Sequence, residues 1–557
     1  MTAVAPPLSK PASTKEGRAS ARRARRRRRW LVVTVALVAF GAVLRVAQYA
    51  SRQSFWADEA ALLFNLTDKS TRQLVAGPLD HGQAAPPGFL AIQRAIALTL
   101  GTGEYAQRLI PLLFGIASLP LAARLAWRWL PPAGATFAVA LLALADTLVW
   151  QSATLKPYTL DLFVALALLL IYPPPPSPAG GGHETDDNHA MGRLRLSSCA
   201  AAVAVWFSLV ASILFAGLAG AELVDVLRRQ RRARAARGTS SDVTGAAARF
   251  DNDRRASSTL AALTRWALTL VPFAVSFAAL YAVSIRHQSG NTYLQSFWTT
   301  TFPDYAHPST LPRWFVKGLW GLAGYVGWPA QGMGAILIPL AMVGFVSLKR
   351  QGRLHVAIAM LAPIVAALAA ALVHQYPWTG RRVTIFLLPA IVMLAGAGVG
   401  GLAMLPQRWP KWVAAAGLVP VAILLAVDVV ALARPRTSTH LRPVLEYVRA
   451  RRAAGEPLYV SEPTYAFDWY WPDAPEPLAF APPDPDALPP GTRLWYVVLP
   501  EDLEHPHKPL PGVDALRARA REVDRFVVRG GAAYQFEALP GNDDGASSAA
   551  ARTPPSE

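Results

Sequence analysis

The stretch Ser54-Phe55-Trp56-Ala57-Asp58-Glu59-Ala60 sets two adjacent carboxylates just beyond an apolar run, Trp30 to Ala50. Carboxylates beside a bilayer are costly unless they are solvated or used. One use is proton transfer: a carboxylate next to a bound phosphate ester can act as general base on an acceptor hydroxyl. Ala57 to Leu66 reads as a short amphipathic helix, with Asp58 and Glu59 in its first turn. Favourable charge at a helix N-terminus, about 0.3–1 kcal/mol, is the competing reason for an acid pair there.

Cations stand at three further places assigned to the same side of the membrane. The segment Gln151 to Asp161 brings Lys156, Tyr158 and Asp161 to the outer end of an apolar run, and Thr379-Gly380-Arg381-Arg382 opens a later one. Arg108 opens a third. Outward arginines run against the positive-inside rule. Snorkelling anchors explain each one singly. A bound phosphate explains them together, since Arg offers planar bidentate donors and Lys a point charge.

The elements that must position these groups follow from composition. The chain has 557 residues, is 53% hydrophobic and 16% charged, and carries a net charge of +19. Soluble domains carry about 25% charged residues, so an ordinary soluble enzyme is disfavoured. One cysteine, Cys199, excludes a disulfide framework and any multi-cysteine metal or iron–sulfur site. Nucleic acid is disfavoured as a partner, because residues 1–29 and 228–255 carry +9 and +6 of that charge, both next to apolar runs. That is a membrane topology signal.

Apolar runs near 30–50, 108–129, 134–150, 157–172, 196–227, 265–285, 333–348, 355–373, 383–404 and 412–432 predict a mainly α, polytopic membrane protein. Residues 196–227 are too long for one span and basic on both flanks, so two short helices turning near Ser208–Ser212 are expected. That makes about eleven spans. Pro86-Pro87 and Arg94 make 86–101 an interfacial helix rather than a span. The expected organisation is a disordered basic cytoplasmic tail over 1–29, a transmembrane domain over 30–432, an extracytoplasmic α/β domain over 433–538 and a disordered tail over 539–557. Residues 173–195 read as a polar, low-complexity cytoplasmic loop and 228–258 as disordered and lipid-facing, with no internal repeat in the chain.

Other polar features are weaker. His183 and His189 lack tetrahedral ligand spacing. Asp146 and Asp428 read as snorkelling or N–H-bonded groups rather than catalytic ones, and Gly396-x-Gly398-x-Gly400-Gly401 as close helix packing. His374, near Tyr376 and Trp378, reads as an interfacial residue or a ligand contact. The aromatic outer loop 286–332, with Trp298, Tyr305 and Trp314, anchors at the interface or shapes a substrate cavity.

Phe55-Trp56-x-Asp58-Glu59-Ala60, Gln83-x-x-Pro86-Pro87 and Glu104-Tyr105-x-x-Arg108-Leu109-x-Pro111 together resemble glycosyltransferase family 39. That family includes protein O-mannosyltransferases and lipid A aminoarabinose transferases. Lys156-Pro157-Tyr158-x-x-Asp161 and Gly380-Arg381 with Phe386-Leu387-x-Pro389 are similar to later motifs of the family, so the resemblance spans about residues 30–400. It implies a GT-C fold and transfer of a sugar from a polyprenyl-phosphate donor to a lipid, glycan or protein acceptor outside the cytoplasmic membrane. It also implies Asp58 as catalytic carboxylate with Glu59 beside it, and Lys156 with Arg381 or Arg382 on the donor phosphate. Arg108 joins those cations as a donor-phosphate candidate; Trp56, Gln83, Tyr158, Asp161 and Tyr376 are expected to line the substrate cavity. The aminoarabinose transferases have a metal-binding Glu before Pro-Pro, whereas this chain has Ala84-Ala85, so that metal is not carried over; no cofactor is assigned, and a divalent metal is left open. A transporter or flippase of lipid-linked sugars is the alternative; it predicts inverted repeats and charges at mid-membrane depth.

Overall fold

The computed structural model describes residues 14–172, 183–238, 246–327, 331–404, 419–437, 439–461, 464–480, 483–484, 487–498 and 511–539. Its helices begin with α1 (Thr14–Ala50), α2 (Ala57–Asp68), α3 (Thr71–Ala76), α4 (Pro87–Thr99), α5 (Glu104–Trp129) and α6 (Pro132–Leu144). They continue with α7 (Asp146–Gln151), α8 (Tyr158–Ile171), α9 (His183–Ala204), α10 (Ala211–Gly238) and α11 (Ala246–Leu280). Later long helices cover Gly334–Arg350, Leu354–Leu372, Leu388–Leu402 and Val419–Ala433.

Five of the described helical stretches are long and apolar enough to cross a membrane: Gly17–Ala50, Glu104–Trp129, Thr259–Gln288, Leu354–Leu372 and Arg382–Leu402. Three shorter apolar helices, Pro132–Leu144, Tyr158–Ile171 and Val419–Ala433, accompany them. The expected pair within 196–227 takes the form of α9 and α10, with the helix broken over 205–210. The single run expected over 134–150 is instead two helices, because Ala145 adopts an extended backbone (φ −63°, ψ 107°) and α7 restarts at Asp146.

Three segments expected to be unstructured contain helix. α1 starts at Thr14 within the basic tail, α9 at His183, and α10 runs to Gly238. The Ala- and Arg-rich tail and the end of α10 have good intrinsic helix propensity, so charge density alone was a poor guide there. The expected tail beyond Leu539 lies outside the described residues.

The glycine-rich run packs as expected. A Cβ on Gly398 would lie 2.1 Å from the Leu340 carbonyl oxygen, and one on Gly396 would lie 2.6 Å from that of Gly134. Only glycine lets helix Leu388–Leu402 approach its two neighbours this closely.

Beyond Ala433 comes a helix at Leu441–Arg451 and a five-stranded sheet of order β2-β1-β3-β5-β4. Its strands are β1 (Leu458–Val460), β2 (Leu478–Ala479), β3 (Arg493–Val498), β4 (Ala520–Val528) and β5 (Gly531–Ala538). β1 pairs parallel with β2 and β3, and β5 lies antiparallel between β3 and β4. The short strand β2 and the helix Tyr465–Tyr470 carry no clear sequence signal, and that helix reaches the site.

Candidate active site

Two adjacent acids at the start of α2 have opposite surroundings. Glu59 is wholly buried. Its Oε1 accepts from Arg108 Nε at 2.9 Å and from the Leu155 backbone N–H at 2.5 Å. Its Oε2 accepts from Arg108 Nη2 at 2.5 Å and, reaching back over the first turn, from Trp56 N at 3.3 Å. Arg108 also donates to the Gln53 and Ser54 carbonyls, at 2.6 and 3.1 Å. Glu59 and Arg108 therefore satisfy one another. The expectation that Glu59 is catalytic and Arg108 binds donor phosphate is corrected: neither faces the cavity.

Asp58, one position earlier, points the other way, into a cavity of about 510 Å³. Its Oδ1 meets Lys156 Nζ at 3.1 Å and accepts from Gln83 Nε2 at 2.9 Å, while Oδ2 meets Arg382 Nη2 at 3.1 Å. Burial would raise the Asp58 carboxyl, but Lys156, Arg382 and the Gln83 hydrogen bond outweigh it and hold the group below its ordinary value. For Lys156 burial dominates and pulls the ammonium below its ordinary value, with Asp58 opposing.

Each cation is fixed by neighbours. Lys156, on the connection between α7 and α8, also donates to Gln83 Oε1 at 2.5 Å. Arg382 donates from Nε to the Tyr158 hydroxyl at 3.0 Å and stacks over the Trp56 ring at 4.9 Å. Gly380 makes its approach possible: a Cβ there would fall 1.9 Å from the Gly321 carbonyl carbon. Arg381 is exposed and does not line the cavity, so of the arginine pair Arg382 is the one placed at the site.

The expected cavity residues Trp56, Gln83, Tyr158, Asp161 and Tyr376 all line the same space. Asp161 accepts from Ser208 Oγ at 2.6 Å, which brings the break between α9 and α10 to the cavity wall. The Trp56 indole N–H is buried and has no partner among the described residues. Such a group is left for a ligand or water to satisfy. Among the described residues no three His, Cys, Asp or Glu side chains converge as a metal site.

Sequence reasoning missed the groups supplied by distant segments. His81 and Gly82 line the cavity with positive φ, 58° and 64°. The His-Gly dipeptide is a turn signal that could have marked this position. Tyr293 and Phe297 arrive from the helix Thr292–Trp298, and Tyr465 from the C-terminal domain. Trp298, one of the loop aromatics, also lines the cavity, while His374, Tyr305 and Trp314 line a separate one.

The C-terminal domain is stitched to the segment before Asp58. The Tyr470 hydroxyl accepts from Phe55 N at 2.7 Å and donates to Glu104 Oε1 at 2.9 Å. Arg442 pairs with that same Glu104 oxygen at 2.7 Å, and its backbone N–H reaches Ser54 Oγ at 2.9 Å. Asp146, expected to snorkel or to accept from an N–H, pairs with Arg436 at 2.9 Å.

No protein-family model and no curated protein sequence matches the chain. Among solved structures, ArnT from Cupriavidus metallidurans bound to undecaprenyl phosphate aligns at TM-score 0.45 and 15% identity, over 90% of this chain and 98% of that one. The archaeal oligosaccharyltransferase AglB from Archaeoglobus fulgidus, in complex with an inhibitory peptide and a dolichol-phosphate, aligns at TM-score 0.39 and 13% identity, over 76% of this chain and 58% of that one. The arabinofuranosyltransferase AftD from Mycobacteria aligns at TM-score 0.32 and 15% identity, over 93% of this chain and 42% of that one.

Proposed function

We propose that the chain is an integral membrane glycosyltransferase of GT-C type. It moves a sugar from a polyprenyl-phosphate donor to an acceptor hydroxyl on the extracytoplasmic face. The observation that carries this reading is Asp58 held between Lys156 and Arg382 at the wall of a cavity, one carboxylate against two cations. The Lys156 and Arg382 donors suit a phosphate, and the Trp56 N–H, without a partner among the described residues, offers it, or the sugar, a further one.

In the reaction the acceptor oxygen attacks the anomeric carbon. The bond from that carbon to the phosphate oxygen breaks, and polyprenyl phosphate leaves with the electron pair. Asp58 takes the hydroxyl proton. Lys156 and Arg382 stabilise the charge gathering on the leaving phosphate, donors already in place before reaction. Both cations first hold Asp58 in its charged, weakly basic form. A donor phosphate competes for them, loosens that hold and makes Asp58 a stronger base once substrate is bound. The N-terminal tail would lie in the cytoplasm, with the cavity and the C-terminal domain outside.

The test is incubation of the purified full-length protein with radiolabelled polyprenyl-phosphate sugars and membrane acceptors, comparing wild type with Asp58→Asn. Transfer by the wild type and its collapse in the variant are expected. Equal transfer by both removes Asp58 from its role, and a wild type inert across a broad donor panel overturns the enzyme reading.

A further inference from the structure

The cavity has two unlike ends. Its charged end is deep: the Lys156 and Asp161 residues are buried, and Asp58 and Arg382 expose only 22% and 26% of their side chains. Its mouth is aromatic and open, with Tyr293, Phe297 and Tyr465 exposed by 60%, 45% and 38%.

The mouth residues touch in sequence around the rim. Tyr465 packs on the His81 ring at 4.5 Å between centroids. A Cβ on the next residue, Gly82, would sit 2.4 Å from the Tyr293 ring, so Tyr293 lies directly on that backbone. Tyr293 stacks with Phe297 at 6.2 Å, and Phe297 meets Trp298 edge-on at 4.9 Å. Three separate stretches of chain thus build one arc of rings. Interfacial anchoring accounts for exposed Trp and Tyr near a bilayer, yet it gives no reason for a ring from the C-terminal sheet domain to complete the arc.

We infer that this arc is the acceptor subsite and that the acceptor is an uncharged carbohydrate, whose apolar C–H face stacks on the rings while one hydroxyl points down to Asp58. The inference rests on the proposed glycosyl transfer and names its acceptor class. Among the described residues no Lys or Arg lines the mouth: of those that line the cavity, Lys156 and Arg382 are the only ones, and both hold Asp58 at the deep end. An anionic headgroup therefore finds no counter-charge at the rim. Open aromatic faces are suited to flat apolar surfaces such as sugar rings, at low conformational cost to the rigid side chains.

The test uses full-length protein in detergent and two independent readouts. Binding of a linear uncharged pentasaccharide of arabinofuranose or mannose is followed by saturation-transfer NMR, with an uncharged Ser/Thr peptide in parallel. Polyprenyl phosphate binding is measured separately. Tyr465→Ala and Tyr293→Ala are expected to weaken pentasaccharide binding by roughly 5- to 10-fold each, with polyprenyl phosphate affinity held within about twofold. Tyr465→Phe, which keeps the ring, restores binding and shows that folding is not at issue. Pentasaccharide binding that is absent, or unmoved by both alanine variants, overturns the inference, as does a peptide that binds through the same rings instead. Failure of the underlying reading looks different: polyprenyl phosphate then does not bind, or binds regardless of Lys156 and Arg382.

Discussion

Asp58 and Glu59 are neighbours in sequence and face opposite ways. Asp58 lines the cavity with Lys156 and Arg382 on its two oxygens, whereas Glu59 is sealed against Arg108 with no exposed surface. One residue along a helix is a turn of about 100° around its axis, enough to carry one carboxylate to the cavity and the other to the core. Three different chain segments depend on the buried one, since Glu59 also fixes the Leu155 amide beside Lys156.

Glu59→Ala should therefore be a folding defect before it is a catalytic one. It strands the Arg108 guanidinium and frees the Leu155 amide, and breaking a buried pair on one side costs about 3–5 kcal/mol. Thermal unfolding of the detergent-solubilised protein should show a large drop in midpoint for Glu59→Ala and a much smaller change for Asp58→Asn. Equal shifts would contradict the division of labour.

Asp58→Asn keeps the shape of the side chain and removes its basicity. Transfer under saturating donor should fall by about 10²–10⁴, the usual worth of a general base. Donor affinity should hold or rise, because Lys156 and Arg382 lose a competing carboxylate. Single-turnover transfer and equilibrium binding of polyprenyl phosphate separate the two effects.

The arginine pair gives a contrast within two residues. Arg382→Met should weaken polyprenyl phosphate binding by roughly 10- to 100-fold, as a charge-assisted hydrogen bond of about 1.5–3 kcal/mol is removed. Arg382→Lys should recover little of this, since a lysine cannot both bond the Tyr158 hydroxyl and stack on Trp56 as the guanidinium does. Arg381→Ala should bind normally, because Arg381 is exposed and outside the cavity.

Much of this was legible in the sequence for simple reasons. Apolar runs of membrane-spanning length announce their helices, and Lys156 and Arg382 stood out because the expected topology put them on a face where cations are disfavoured. The phase of a helix was not legible, because nothing in Asp58-Glu59 or Arg381-Arg382 says which member turns inward. Nor was the contact between His81 and Tyr465, which come from opposite parts of the chain and meet only because the sheet domain docks on the segment between α3 and α4. The basic tail misled for the opposite reason: its charge suggested disorder while its Ala and Arg content favoured the helix that begins at Thr14.

The Asp58 site sets a pH dependence. Its folded-state value lies below the ordinary carboxylate value of about 3.9. The native protein therefore holds fewer protons at this group than the unfolded chain does. Its stabilising contribution is complete above about pH 3.9 and is lost as pH falls through the depressed value. The acid limb of kcat/KM, which reports free enzyme, should lie below pH 3.9 or so. The alkaline limb should follow Lys156, whose burial brings its proton loss below the ordinary value of about 10.4. Rate profiles check both limbs, and Lys156→Arg should move the alkaline one upward.

Tyr470 connects the C-terminal domain to the segment that leads into Asp58 without lining the cavity. Its hydroxyl is held between the Phe55 amide, next to Trp56 at the start of α2, and Glu104, which Arg442 also engages. Tyr470→Phe leaves that amide without its acceptor, a loss of about 1–3 kcal/mol for a buried donor. Because Trp56 packs under Arg382 and precedes Asp58, slack there should misplace the base more than the bound phosphate. A lower kcat with little change in donor KM is the expected pattern. If the C-terminal domain only added bulk stability, the unfolding midpoint would drop while kcat of the folded fraction stayed at the wild-type value, so measuring both on one sample decides the matter.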